Sequence, residues 1–159
     1  ISYHKTTIMK TVYLLIGIAI AMVACKKEEN PTLTEELAKS SWQKTSILIA
    51  ADSIAPDTIP NIDILSAKPD CAKDNIWQFN AENNTFQLLE GEKCNIADPD
   101  IKASGIIEES NNGNRLRVDG GGINEIWEIE SRSASSFRVS YFARNDGKLT
   151  KFRVVFTKI

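Results

Sequence analysis

From Asn75 to its end the chain repeats one pattern: apolar and polar residues alternate, and turn residues interrupt the alternation at short intervals. Leu116 and Val118 alternate with Arg115 and Arg117. Phe137, Val139 and Tyr141 alternate with Arg138 and Ser140, and Phe152, Val154 and Phe156 with Lys151 and Arg153. Successive side chains of a strand point to opposite faces, so a period of two buries one face and wets the other. A helix cannot gather such a set on one side.

The turns agree with this. "NIWQFN" and "TFQLLE" flank "AENN"; "KASGIIEES" and "RLRVD" flank "NNGN"; "SFRVSYFAR" and "LTKFRVVFT" flank "NDGK". Asn-Gly and Asp-Gly steps accept the positive φ that tight hairpins demand. Gly120-Gly121-Gly122 turns the chain into "INEIWEIES". It has no Gly-Lys-Ser/Thr ending and no following helix, so it reads as a hairpin and not as a phosphate loop.

Ahead of this block, Thr32 and Glu35 fit a helix capping box, and Leu33 and Leu37 stand one helical turn apart. A short helix over 33–39 is expected, then a strand over 42–50. Residues 52–74 carry Pro56, Pro60 and Pro69 and read as irregular, with a short edge strand at 62–65. Strands that meander must hide their edges, and closure does so. The expected fold is all-β: an antiparallel up-and-down β-barrel of about eight strands with a short N-terminal helix. A two-sheet sandwich is the alternative.

Three stretches carry a resemblance: "LAKSSWQKTS" (37–46), "CAKDNIWQFNAENNTF" (71–86) and "EGEKC" (90–94). On them the chain resembles the lipocalin-like lipoproteins of Bacteroidota. Trp42 stands where that family carries a first-strand tryptophan. Cys71, Lys73, Asp74, Asn75 and Phe79 match its second segment, and Cys94 matches its second cysteine. Ser40 replaces the glycine of the common Gly-x-Trp pattern. The resemblance implies a lipocalin-like barrel able to bind a small hydrophobic or amphiphilic ligand in its mouth, since eight strands leave room for side chains or one ligand. Candidate ligand-binding residues are Trp42, Trp77, Phe79, Trp127, Tyr141 and Phe152. The competing expectation is that these residues, with Phe86, Leu88 and Phe137, simply fill the core. The domain would then be a non-enzymatic interaction module, contacting protein or glycan with its outer loops. Arg138, Arg144 and Arg153 are candidates to close the barrel end over Trp42.

The N-terminal segment bears on location. Lys10 precedes an uncharged run from Val12 to Ala24, which has secretory-signal layout and is too short to span a bilayer. Met9 is the natural start, and residues 1–8 lack signal-like logic. Met22-Val23-Ala24-Cys25 resembles a bacterial lipobox, in which the cysteine is lipidated and becomes the first mature residue. Several acyl chains then hold the protein firmly. Lys26-Lys27-Glu28-Glu29 resembles a surface-export signal. The expected organisation is 1–24 upstream residues and signal, 25–31 lipidated tether and 32–159 barrel. The expected location is the outer membrane, lipid-anchored. Lys26–Glu29 reads either as that surface-export signal or as a solvated tether, so display on the cell surface and a periplasmic face both stay open.

Residues 25–159 hold 17 basic and 21 acidic side chains, a net charge of −4 with no basic cluster, which argues against nucleic acid. His4 is the sole histidine and lies in the leader, so the mature chain can build neither a Ser-His-Asp nor a Cys-His centre. No enzyme activity and no cofactor are expected. Cys71 and Cys94 form an even pair in an exported chain, which suggests a disulfide; buried free thiols are the alternative. Closing that loop is worth roughly 3–4 kcal/mol on the chain-entropy model.

Other polar groupings are weaker. Asp98/Asp100 and Asp70/Asp74 lack a calcium-loop pattern, so no metal is expected. Glu108/Glu109 and Glu128/Glu130 offer carboxylate pairs of the kind glycoside hydrolysis uses, but read as surface acids. Asp52-Ser53-Ile54 and Asp57-Thr58-Ile59 resemble an O-glycosylation motif, which makes Ser53 and Thr58 candidate sites.

Overall fold

Each alternating stretch forms a strand in the phase its residues imply. A computed structural model describes residues 30–49, 62–145 and 147–159; Cys25, the segment 1–24, Ser53, Thr58 and Asp146 lie outside them. The strands are β1 (Ser41–Ile49), β2 (Ile62–Asp63), β3 (Ile76–Asn80), β4 (Thr85–Leu89), β5 (Ile101–Ser110), β6 (Arg115–Gly120), β7 (Ile123–Arg132), β8 (Ser136–Asn145) and β9 (Lys148–Lys158). All pairings are antiparallel, in the order β2-β1-β3-β4-β5-β6-β7-β8-β9, and β9 pairs back onto β1. That seam runs from Trp42 opposite Lys158 to Ile49 opposite Phe152. It closes β1 and β3–β9 into an eight-stranded up-and-down barrel and excludes the two-sheet sandwich.

Local chemistry explains the remaining details. Helix α1 (Leu33–Ala38) starts at the expected capping box: Thr32 accepts from the Glu35 N–H, and the Glu35 carboxylate accepts from the Thr32 N–H. It ends a residue earlier than expected, with Lys39 as its C-cap. The expected strand over 62–65 shrinks to β2, because the Asp63 side chain accepts from the Leu65 N–H at 2.9 Å and turns the chain. The stretch read as irregular contains one helical turn, α2 (Asp70–Lys73), after Pro69. In the β5–β6 hairpin, Asn111, Asn112 and Gly113 all have positive φ, as the Asn-Gly step implied. Gly120 has a φ of +138°, and a Cβ there would sit 2.5 Å from Gly105 Cα on β5. A side chain at either position would drive the two strands apart.

The two barrel ends differ. Helix α1 covers one end, burying Leu33 and Leu37. Its Thr34 N–H donates to Glu109 Oε2 at 2.9 Å, and Trp42 Nε1 donates to the Leu37 carbonyl at 2.8 Å. Next to it an aromatic layer crosses the interior. Trp77 packs 5.4 Å from Phe86, 5.2 Å from Trp127 and 5.8 Å from Phe156, and Phe137 stacks on Phe156 at 4.5 Å. At the other end, Cys71 on α2 is disulfide-bonded to Cys94 in the β4–β5 connection, with Cα atoms 5.1 Å apart. The disulfide expected from the even cysteine count is formed.

Candidate functional site

Register decides what points inward. Cross-strand partners share a face, and Lys44 lies opposite Phe156, Glu125 opposite Val118, and Tyr141 opposite Phe152. Phe156 and Val118 are fully buried. The barrel therefore turns a lysine and a glutamate into its interior. On β1 the register shifts between Lys44 and Ser46, which places Thr45 outside, bonded to Thr157, and brings Ile47 back to the inner face opposite Val154.

These groups sit on the aromatic layer, on the side away from α1. Lys44 Nζ lies 4.8 Å from the Trp77 ring centroid and 5.7 Å from that of Phe156, close enough for cation–π attraction. Glu125 Oε2 accepts from Trp127 Nε1 at 2.6 Å. Tyr141 stacks on Phe152, with centroids 5.4 Å apart. Beyond them Ile47, Leu88, Ile123, Ala143 and Phe152 pack against the core yet remain only partly buried. The two halves of the interior thus differ. In the α1 half the aromatic side chains are almost fully buried, and the other half presents partly buried apolar side chains beside the Lys44 ammonium, the Glu125 carboxylate and the Tyr141 phenol.

Enclosure shifts the titrations. Burial lowers the Lys44 pKa below the ordinary lysine range, and the Glu125 charge partly offsets this. Burial first, and the Glu125 carboxylate second, hold the Tyr141 phenol above its usual range. A ligand entering here would meet an aromatic floor, apolar walls and the opposite charges of Lys44 and Glu125.

The residues expected from the sequence divide between the halves. Trp42 and Phe79 lie in the packed region near α1, Trp42 edge-on to Phe137 at 4.9 Å. Trp77 and Trp127 form the floor, while Tyr141 and Phe152 belong to the wall. The arginines do not close the end over Trp42, because Leu37 of α1 occupies that place. Arg138 is exposed on β8, Arg144 donates to the Gly147 carbonyl and Arg153 to Glu130. Sequence reasoning missed Lys44 and Glu125. The available signal was phase: each stands two residues from an inward tryptophan, Trp42 or Trp127, with which it shares a strand face.

The polar groupings set aside earlier have structural partners. Glu128 pairs with Arg115, Glu130 with Arg153, Glu108 with Arg117, and Glu109 fastens α1. Asp100 pairs with Lys93 at 2.7 Å, Asp70 with Lys73, and Asp74 accepts from the Glu92 N–H. Among the described residues no group of three or more acidic, histidine or cysteine side chains is arranged to hold a metal ion. A groove of about 560 Å³ opens at the α1 end beside the β7–β8 turn, lined by Leu37, Trp42 and Phe137 together with Glu36, Lys39 and Arg132.

No family model matches this sequence, and no curated protein matches it. Among solved structures the chain is similar to bovine odorant-binding proteins. The complex with a selenium-containing odorant shares 17% identity with a TM-score of 0.42, covering 86% of this chain and 78% of that one. The complex with undecanal shares 14% identity with a TM-score of 0.43, covering 84% and 77%. The odorant-binding protein from bovine nasal mucosa shares 17% identity with a TM-score of 0.43, again covering 84% and 77%.

Proposed function

We propose that this chain is a non-enzymatic binding barrel that takes a small amphiphilic molecule into the half of its lumen opposite α1. The observation that carries this is the contrast within one interior. Trp127 and Phe156 are fully buried, whereas Ile47, Leu88, Ile123, Ala143 and Phe152 face inward and stay partly reachable by solvent. Apolar surface held open to water gains free energy when a ligand covers it. The carboxylate pairs that hydrolysis would need are instead engaged in ion pairs or in holding α1, which supports a non-enzymatic role.

The test is titration with N-phenyl-1-naphthylamine, a neutral dye that brightens in apolar surroundings. Saturable binding, competed by decanol and weakened in Leu88→Lys, is the expected result. If Leu88→Lys leaves saturable dye binding unchanged, the dye sits elsewhere and the lumen reading fails. Absence of binding would favour the filled barrel acting through its outer surface, a reading to which the solid aromatic layer lends support.

We further propose that the barrel is held at the outer membrane by lipid on Cys25 and faces outward. The support is the apolar run ending in Met22-Val23-Ala24-Cys25 and the charged Lys26–Glu29 stretch after it.

A further inference from the structure

Lys44 is an inward-facing cation whose close neighbours are ring faces. An ammonium has three donors. Among the described residues no carboxylate lies within ion-pair distance of Lys44 Nζ; its close neighbours are the faces of Trp77 and Phe156. Those faces attract a cation, and among the described residues no protein acceptor takes a hydrogen bond from Nζ. The carboxylate that acts on it electrostatically, Glu125, is held by Trp127 Nε1 on its own strand. A charged group enclosed this way carries a desolvation cost that a bonded counter-ion would relieve.

The surroundings define the counter-ion. Lys44 lies at the base of the reachable half, against the aromatic floor, and the walls beyond it are apolar: Ile47 on its own strand, Leu88 on β4, Ile123 on β7 and Phe152 on β9. An acceptor that reaches Nζ must therefore lead a chain that is itself apolar. Glu125 sets a second limit, because its charge repels a large or multiply charged head and tolerates a small monoanion. Oxygen acceptors on a charged head form the strong, short class of hydrogen bond with an ammonium.

We propose that the lumen selects a single-chain monocarboxylate, with its carboxylate on Lys44 Nζ and its hydrocarbon chain along Ile47, Leu88, Ile123 and Phe152. This rests on the lumen-binding reading above and adds the identity of the head. The wall supplies affinity in proportion to the area it covers, and Lys44 supplies the discrimination between an acid and the corresponding alcohol.

The experiment is displacement of N-phenyl-1-naphthylamine from the full chain at pH 7.5 by decanoate and by decanol, in parallel. The expected result is that decanoate binds about tenfold or more tightly than decanol, the range expected of one charge-assisted bond. In Lys44→Met that preference should vanish while decanol binds as before. Lys44→Arg should restore part of it, and Glu125→Gln should increase it. The near-ultraviolet circular dichroism of the tryptophan layer reports whether each variant is folded, and Lys44→Arg and Glu125→Gln decide the matter if Lys44→Met is not. Equal binding of decanoate and decanol by the unaltered protein overturns the head-group proposal and leaves the lumen reading standing. So does a preference that survives in Lys44→Met. Binding of neither overturns both.

Discussion

Trp127 Nε1 donates to Glu125 Oε2 at 2.6 Å, and the two residues stand two apart on β7 with both side chains inside the barrel. The bond serves both partners. It satisfies an indole donor in a fully buried ring, and it gives an enclosed carboxylate one of its acceptor contacts. It also fixes the negative charge at the boundary between the packed and the reachable halves.

Removing the acceptor without replacing it should therefore cost stability. Glu125→Leu leaves the Trp127 N–H unpaired and is expected to destabilise the fold by about 1–3 kcal/mol, whereas Glu125→Gln keeps an acceptor and costs less. Urea unfolding followed by tryptophan fluorescence measures both. Equal losses in the two variants would show that the bond is not the source of the effect.

The alkaline limb should carry the signature of Tyr141. Its folded pKa is raised, chiefly by burial and then by Glu125. The unfolded chain gives up that proton near pH ~10 while the folded one retains it. The stability linked to Tyr141 is thus fully present below that pH and is lost as pH rises above it. Difference absorbance of phenolate at 295 nm, comparing the protein with Tyr141→Phe, should show this residue ionising only above the ordinary range, together with unfolding.

The disulfide spans residues 71–94 and joins α2 to the connection between β4 and β5. Cys71→Ala with Cys94→Ala is expected to lower stability by roughly 3–4 kcal/mol while leaving the strand content intact. Denaturant midpoints and far-ultraviolet circular dichroism test the two halves of that statement.

Gly120 should tolerate no side chain. Its φ of +138° and the 2.5 Å approach of a would-be Cβ to Gly105 Cα combine a conformational penalty with a backbone clash. Gly120→Val is expected to destabilise by about 2 kcal/mol or more, well beyond an ordinary surface change. Gly122→Ala supplies the comparison: its φ of +83° is also unfavourable, but nothing lies within 4 Å of the added carbon, so its loss should be smaller.

The proposed lipidation is tested separately from the barrel. Cells producing the full chain and fed an alkyne-bearing palmitate analogue should label it, and Cys25→Ser should abolish the label. Label that persists in Cys25→Ser would sink the lipid-anchor reading.

The strands were legible because alternation is a local property. Phe152, Val154 and Phe156 declare a buried face within five residues, and Asn-Gly and Asp-Gly declare where the chain reverses. The capping box at Thr32 and Glu35 is equally local, and α1 begins there. The sequence by itself thus determined an all-β chain, its strand phases, the turn positions and an even cysteine pair. It did not decide closure. That depends on β1 meeting β9, a pairing that joins residues such as Thr45 and Thr157 across most of the domain, and no window of sequence carries it. The site eluded sequence reading for a related reason. Lys44 and Glu125 follow the phase of Trp42 and Trp127, but a charge in an alternating stretch is ordinarily taken for the wet face. The tertiary structure alone placed them inside, because eight side chains around a ring meet at one level only after the ring has closed. Closure turned an apolar face into a floor, a wall and a pair of enclosed charges.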